Sequence, residues 1–341
     1  MFNIVTFGAV TQDNFMKLAP ESARLVEDGK SDASFLCFEY GAKVEVEDAW
    51  SRVGGGALNT ALSYKHLGFS PVVVSAVGSD HYGKIILSRL AENDIEDHFV
   101  ARIAGMHTGL SAIITSVRGD RTVFVYRGAN DAITRDKLPR FHELASAKWF
   151  SVSHLSGQSD ALLRDILQLK NENPKLNIAW NPGLTQLEKG AEALKEFLGV
   201  TKVLIVNRRE SEILSGKKAD RGSTADLKKI ATYLAGLGPE IVVISDGQNG
   251  SVAYSNHTLY SANTFPANVI NTTGAGDAFL AGFVTGLDHS SGDIEVALAY
   301  GSANAAAVVS RIDQRNGLLT LKEIQDKVQR TPTFRINKEH A

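Results

Sequence analysis

Short β-branched runs separated by amphipathic stretches constrain this chain most. Residues 3–7, 71–77, 148–153, 176–180, 203–206 and 240–245 read as strands. Between them lie segments such as 160–170, where Leu162, Leu163, Ile166, Leu167 and Leu169 crowd one side at helical spacing. This alternation predicts an α/β fold: a mostly parallel sheet with helices on both faces. Ligands in such folds bind beyond the carboxyl ends of the strands, so the loops that follow strands are where chemistry is expected.

Two regions break the rhythm, residues 15–52 and 109–127. They carry strand-like runs at 34–40, 42–46, 111–117 and 122–126 without intervening helices, and Arg118-Gly119-Asp120-Arg121 separates the last two as a hairpin turn does. They are expected to form a small β lid on an α/β body made of residues 1–14, 53–108 and 128–341. The alternative is a decorated edge of the main sheet.

Composition narrows the partners. The 36 Lys plus Arg against 38 Asp plus Glu give a net charge of −2, and no basic run exceeds two residues. Proteins that neutralise a nucleic-acid backbone carry a basic excess or stripe, so small molecules are the expected partners. A single Cys, Cys37, excludes an internal disulfide and a Cys-rich metal site, and fits a reducing cytoplasm. The first residues lack the basic region of a signal peptide, and no run approaches 18 apolar residues, so no membrane span is expected.

The stretch Asn271-Thr272-Thr273-Gly274-Ala275-Gly276-Asp277 leads into an apolar helical run. Two glycines before a helix let the backbone turn with its amides exposed, and the helix N-terminus adds positive potential, which makes an anion cradle. Asp277, on the first helical turn, would face the anion, where a carboxylate can take a proton from an attacking hydroxyl. Read more plainly, Asp277 caps the helix and the glycines turn the chain. A second constellation, Gly54-Gly55-Gly56-Ala57-Leu58-Asn59, opens another helix. Three consecutive glycines cost much backbone entropy, which points to a group approaching that backbone closely. Asn59 can donate to and accept from sugar hydroxyls, or stand as a surface amide.

With these two motifs the chain resembles the ribokinase-like carbohydrate kinases, the PfkB family, along nearly its whole length. Both signatures are present in order: the glycine-rich stretch through Gly78, and Thr-Thr-Gly-Ala-Gly-Asp about 200 residues later. The resemblance implies a three-layer ribokinase-like fold and phosphoryl transfer from MgATP to a hydroxyl of a small sugar, ribose- or fructose-like. It makes Asp277 the base and the amides of Gly274, Ala275 and Gly276 the anion hole. It assigns Asp13, Gly55, Gly56 and Asn59 to the acceptor pocket. Asn207-Arg208-Arg209-Glu210 matches the family's Asn-x-x-Glu, with Glu210 acting on Mg²⁺ through water; the alternative is an acid at a helix start. Ser245-Asp246-Gly247-Gln248-Asn249-Gly250 resembles the nucleotide-phosphate turn, so Asn207, Ser245, Gly247, Gly250 and Thr273 are expected at ATP. In the helical run 294–311, Asn304 resembles the position beside adenine, and tight helix packing is the rival reading of the alanines around it.

Two departures stand out. Asn271 replaces an Asp that helps many relatives hold a monovalent cation, and Ile312-Asp313-Gln314-Arg315-Asn316-Gly317 replaces a Gly-Ala-Gln loop, which puts K⁺ activation in doubt. Arg315 could take the cation's place. Arg127-Gly128-Ala129-Asn130 keeps the Gly-Ala-Asn of many sugar kinases. The first alternative acceptor is a nucleoside. A sugar phosphate is less favoured, although Arg102, Arg121 or Arg127 could supply charge. A catalytically silent binding relative conflicts with the intact Asp277 and both glycine turns. A dinucleotide oxidoreductase would need a Gly-x-Gly-x-x-Gly after the first strand, where Gly8 stands alone, and a Walker motif is absent. The lid regions, with sheet edges to offer, are expected to pair two copies into a homodimer.

Overall fold

The computed structural model describes residues 2–19, 21–27, 34–115, 121–310 and 317–341. Ten strands form the main sheet: β1 (Ile4–Phe7), β6 (Pro71–Gly78), β7 (Val100–Ile103), β10 (Trp149–Val152), β11 (Asn177–Trp180), β12 (Val203–Asn207), β13 (Ile241–Ser245), β14 (Ser251–Ser255), β15 (Thr258–Ala262) and β16 (Ile336–His340). Their spatial order is β16-β15-β14-β13-β12-β11-β10-β1-β6-β7. Pairing is parallel from β7 to β13 and antiparallel from β13 to β16. All residues of β1, β6 and β10 are buried, as in a parallel sheet covered on both faces.

The covering helices are α1 (Gly56–His66), α2 (His81–Ala91), α3 (Leu162–Glu172), α4 (Leu184–Leu187), α5 (Gly190–Val200), α6 (Arg208–Ser215), α7 (Thr224–Ala235), α8 (Ala275–His289), α9 (Ile294–Val309) and α10 (Leu321–Arg330). Side chains alternate across a strand. Thus Val5 and Phe7 of β1 join the core under α3, α5 and α7, while Ile4 joins the core under α8 and α9. The two last-named helices pack through glycines. A Cβ on Gly282 would lie 2.5 Å from the Tyr300 carbonyl oxygen, and one on Gly286 would lie 2.7 Å from Ala297 Cα. No side chain fits where backbones approach so closely.

The chain leaves β1 towards β6 and β7, then returns to β10 on its other side and continues the opposite way. Strand order therefore reverses between β1 and β10, and such a reversal opens a crevice at the strands' carboxyl ends. Over it stands a separate four-stranded sheet, ordered β5-β2-β8-β9, from β2 (Thr11–Leu18), β5 (Val46–Gly54), β8 (Gly109–Thr115) and β9 (Arg121–Tyr126). A two-stranded piece pairs β3 (Arg24–Glu27) with β4 (Ser34–Cys37).

This small sheet departs from the expected boundaries. It takes in residues 11–14 and 53–54, which the sequence reading leaves with the body, because β2 and β5 pair from Thr11 with Gly54 onwards. Residues 42–45 form no strand; the strand starts at Val46 and runs on to Gly54. β8 and β9 are antiparallel, as the hairpin reading requires, but Arg118, Gly119 and Asp120 of its turn lie outside the described residues.

Candidate active site

The glycine triplet at the start of α1 is explained position by position. A Cβ on Gly54 would sit 2.1 Å from Asp13 Oδ2, one on Gly55 2.4 Å from the Ala9 carbonyl oxygen, and one on Gly56 2.8 Å from Ser153 Cβ. Gly55 also holds φ at +95°, which L side chains rarely adopt. These glycines let β2, the loop after β1 and the loop after β10 converge on one point. Asp13, 8% exposed on β2, accepts hydrogen bonds from Thr11 Oγ1 (2.8 Å) and Ser111 Oγ (2.6 Å). Burial nevertheless pushes its pKa up, against the pull of those bonds and of the Arg52 guanidinium.

Asn59 on the first turn of α1 donates from Nδ2 to Asp277 Oδ2 at 2.8 Å. The bond joins α1 to the first turn of α8 across 218 residues of sequence. Burial pushes the Asp277 carboxyl up to about 6; the Asn59 bond pulls it down, while the Asp13 and Glu210 charges push it further up. Beside it Gly274 caps α8 at φ 78°, and the first-turn amides of a helix have no partner inside it. A Cβ on Gly276 would meet nothing within 4 Å. No protein packing requires glycine there. Asp277, Asn59, Asp13, Gly55 and Gly56 thus come together with the Gly274–Gly276 turn.

The strands β12 and β13 pair Asn207 with Ser245 at their carboxyl ends. Asn207 and Glu210 form a reciprocal capping box on α6: Asn207 Oδ1 accepts from the Glu210 amide (2.9 Å), and Glu210 Oε2 accepts from the Asn207 amide (2.8 Å). The acid at a helix start is therefore present, and burial raises its pKa. Arg208 grips Asp246 through two 2.8 Å bonds, which holds the turn after β13 against α6. In that turn Gly247 has φ +55° and open space around it, while a Cβ on Gly250 would lie 2.0 Å from the Ala262 carbonyl oxygen.

Asn304 is placed differently from its expected position at the nucleotide. It is fully buried, and its Nδ2 donates to Ser63 Oγ (2.9 Å) and to the Ala278 carbonyl (2.8 Å). Its amide ties α9 to α1 and α8 and has no face left for adenine. Asn271 Oδ1 accepts from the Thr273 amide (2.9 Å) and from Arg121 (3.4 Å), so a guanidinium already lies against the oxygen considered for a monovalent cation. Residues 311–316, including Arg315, lie outside the described residues.

Three side chains at the site carry no motif. Ser153 fills the space beside Gly56, and His154 follows it; both stand at the end of β10, a place only the strand order reveals. Arg121 of β9 donates to Thr273 Oγ1 at 2.6 Å, reaching from the small sheet to the Gly274 turn. Arg127 contacts His154 Nδ1 at 3.1 Å. Arg102, by contrast, pairs with Asp97 on the surface at 2.7 Å, away from this cleft. Asn130 clasps both the amide and carbonyl of Val10, as a peptide group would, and so pins the loop that enters β2.

The crevice thus holds a partly buried carboxylate and a glycine turn at a helix N-terminus beneath a covering sheet. Comparison with known proteins gives the family. The profile described as pfkB family carbohydrate kinase matches residues 28–321. The chain is 24% identical to a ribokinase of Staphylococcus aureus over 288 residues, 83% of this chain and 91% of the relative. It is 27% identical to a 5-dehydro-2-deoxygluconokinase of Shouchella clausii over 313 residues, 88% of this chain and 94% of the relative. The solved ribokinase of Giardia lamblia superposes with a TM-score of 0.80 at 20% identity, covering 96% of this chain and 99% of that one. The chain belongs to the pfkB family of carbohydrate kinases and is a phosphotransferase with an alcohol group as acceptor. No helix among the described residues is long and apolar enough to cross a membrane.

The raised pKa of Asp277 has a stability consequence. A carboxyl whose folded pKa exceeds its unfolded value stabilises the fold while protonated, and that contribution is lost as pH rises through about 6. Asp277→Asn is expected to raise stability at pH 8 by up to about 3 kcal/mol, with the gain vanishing towards pH 4. Thermal denaturation of both proteins across that range checks it; a pH-independent difference contradicts it.

Proposed function

We propose that this protein transfers the γ-phosphoryl group of ATP to a hydroxyl of a small sugar, ribose- or fructose-like. The observation that carries the reading is the Asn59–Asp277 pair at the N-terminus of α8, beside a glycine turn whose outer side is open. Asp277 takes the proton of the attacking hydroxyl. Its pKa near 6 keeps it ionised at neutral pH yet more basic than an ordinary carboxylate. Asn59 fixes its orientation. Asp13, already oriented by Thr11 and Ser111, accepts from other acceptor hydroxyls. The amides of Gly274, Ala275 and Gly276, with the α8 dipole, stabilise charge on the transferring phosphoryl oxygens. Phosphoryl transfer rests chiefly on such positioning and electrostatics.

The nucleotide would lie over the ends of β12 and β13, against Asn207, Ser245 and the Gly247–Gly250 turn, with Thr273 at its phosphate end. Mg²⁺ fits this side: Glu210 is a half-buried, hard-oxygen acid whose charge raises the pKa of Asp277, and a cation relieves both. Bound there, it would neutralise the phosphates. The small sheet acts as a lid that excludes water. Its outer face carries Phe124 and Tyr126, 57% and 50% exposed on the edge strand β9, which supports pairing of two copies through their lids. Light scattering is expected to give twice the chain mass; a monomer at all working concentrations removes that pairing.

Asp277→Ala is expected to lose about 10²- to 10⁴-fold in kcat, the usual worth of a general base, and to keep its fold. ADP release with MgATP and a panel of pentoses, hexoses and nucleosides measures it, with and without K⁺. Near-normal turnover in the variant overturns the assignment, and nucleosides outpacing sugars replaces the acceptor class.

A further inference from the structure

The register of the small sheet roofs the cleft with β9. Asp13 of β2 pairs with Ser111 of β8, and Ser111 pairs with Val125 of β9. Cross-strand partners share a face, and alternate residues of one strand do too. Asp13, Ser111, Arg121, Val123 and Val125 therefore occupy one face, the side towards the body. At one end of β9, Arg121 touches Thr273 at the phosphoryl cradle. At the other, Arg127, which follows the strand, touches His154 of the body. Arg127 lies six positions beyond Arg121, about 20 Å along an extended chain. Val123 and Val125 between them are 44% and 55% exposed.

The far end carries an unmatched charge. His154 is clamped between Arg127 at Nδ1 (3.1 Å) and Thr185 Oγ1 at Nε2 (2.7 Å), with Gly183 leaving room for its ring. Burial, and then the Arg127 charge, hold it down at about 4, so it is neutral at pH 7. Asp131 and Asp160 are the acids near enough to influence it. Asp131 accepts from Ser156 Oγ, and Asp160 pairs with Lys189. Among the described residues Arg127 makes no ion pair. A half-buried guanidinium whose side-chain partner is an uncharged imidazole has no opposite charge beside it, and its remaining N–H groups match carboxylate or phosphate geometry. The charge lies on the acceptor side, since His154 follows Ser153, the residue against Gly56 and close to Asp277.

We propose that the phosphate acceptor is an anionic sugar, bearing a carboxylate or phosphate at the end away from the reacting hydroxyl, and that Arg127, held in place by His154 and Thr185, binds that group. The inference rests on the kinase reading above and adds the acceptor's charge to it. Arg127 then selects against neutral sugars, which offer the guanidinium only hydroxyls, and the near-neutral protein needs no broad basic surface to bind an anion.

The test uses matched pairs: an aldonic or 2-keto sugar acid against its neutral sugar, and a hexose phosphate against the free hexose. ADP release with MgATP is measured alongside thermal shift without ATP. The expected result is a kcat/KM at least about tenfold higher for one anionic member than for its neutral partner, and the pair that shows it separates carboxylate from phosphate. Arg127→Gln should erode that ratio about 10- to 100-fold, the worth of a charged hydrogen bond, and Arg127→Lys should restore part of it. In the unaltered protein, KM for the anion should rise with salt while that for the neutral sugar does not, a readout independent of any variant's folding. Neutral sugars preferred over both anionic partners, or Arg127→Gln lowering both members alike, overturns the proposal. No ADP release with any acceptor overturns the kinase reading instead. In that case an anion-dependent thermal shift, lost in Arg127→Gln, sustains the subsite, and its absence removes it as well.

Discussion

The hydrogen bond from Asn59 to Asp277 is the contact on which the site depends. It joins the first turns of α1 and α8, two helices on the same face of the main sheet. Without it, a carboxylate partly withdrawn from water and pushed by Asp13 and Glu210 would lose the hydrogen bond that favours its charged form. One amide therefore does two things: it aims the carboxylate into the crevice and keeps its pKa near 6, where it can both be ionised and accept a proton.

Glycines make that meeting possible, for different reasons at different positions. Gly54 admits the Asp13 carboxylate, Gly55 turns the backbone against Ala9, and Gly56 admits Ser153. Gly282 and Gly286 let α8 lie flush on α9, which fixes where the N-terminus of α8 points. Gly276 alone in the cradle has no protein neighbour to explain it. The first two groups are explained by close approach within the protein, whereas the space at Gly276 is open.

Much of this was legible in the sequence because the relevant signals are local. The parallel strands are short, apolar and β-branched, and both glycine turns open helices. What escaped is non-local or locally inconsistent. β2 is hard to read as a strand because Thr11, Asp13 and Asn14 are polar where an ordinary strand would be apolar; Asp13 is polar because it faces the crevice. Ser153, His154 and the Arg121–Thr273 contact depend on strand order and on the small sheet's register, which no window of sequence contains. Asn304 shows the converse: a position suggestive by resemblance proves to be a fully bonded core amide.

The central claim is that Asp277 is a carboxylate tuned by burial and by one amide. Carbon-13 titration of its side-chain carboxyl, assigned by the loss of its signal in Asp277→Asn, measures this directly. The expected midpoint is near 6 in the unaltered protein, and higher in Asn59→Ala, where the bond that favours the ionised form is gone. A midpoint at the ordinary aspartate value of about 4, unmoved by Asn59→Ala, would contradict the account.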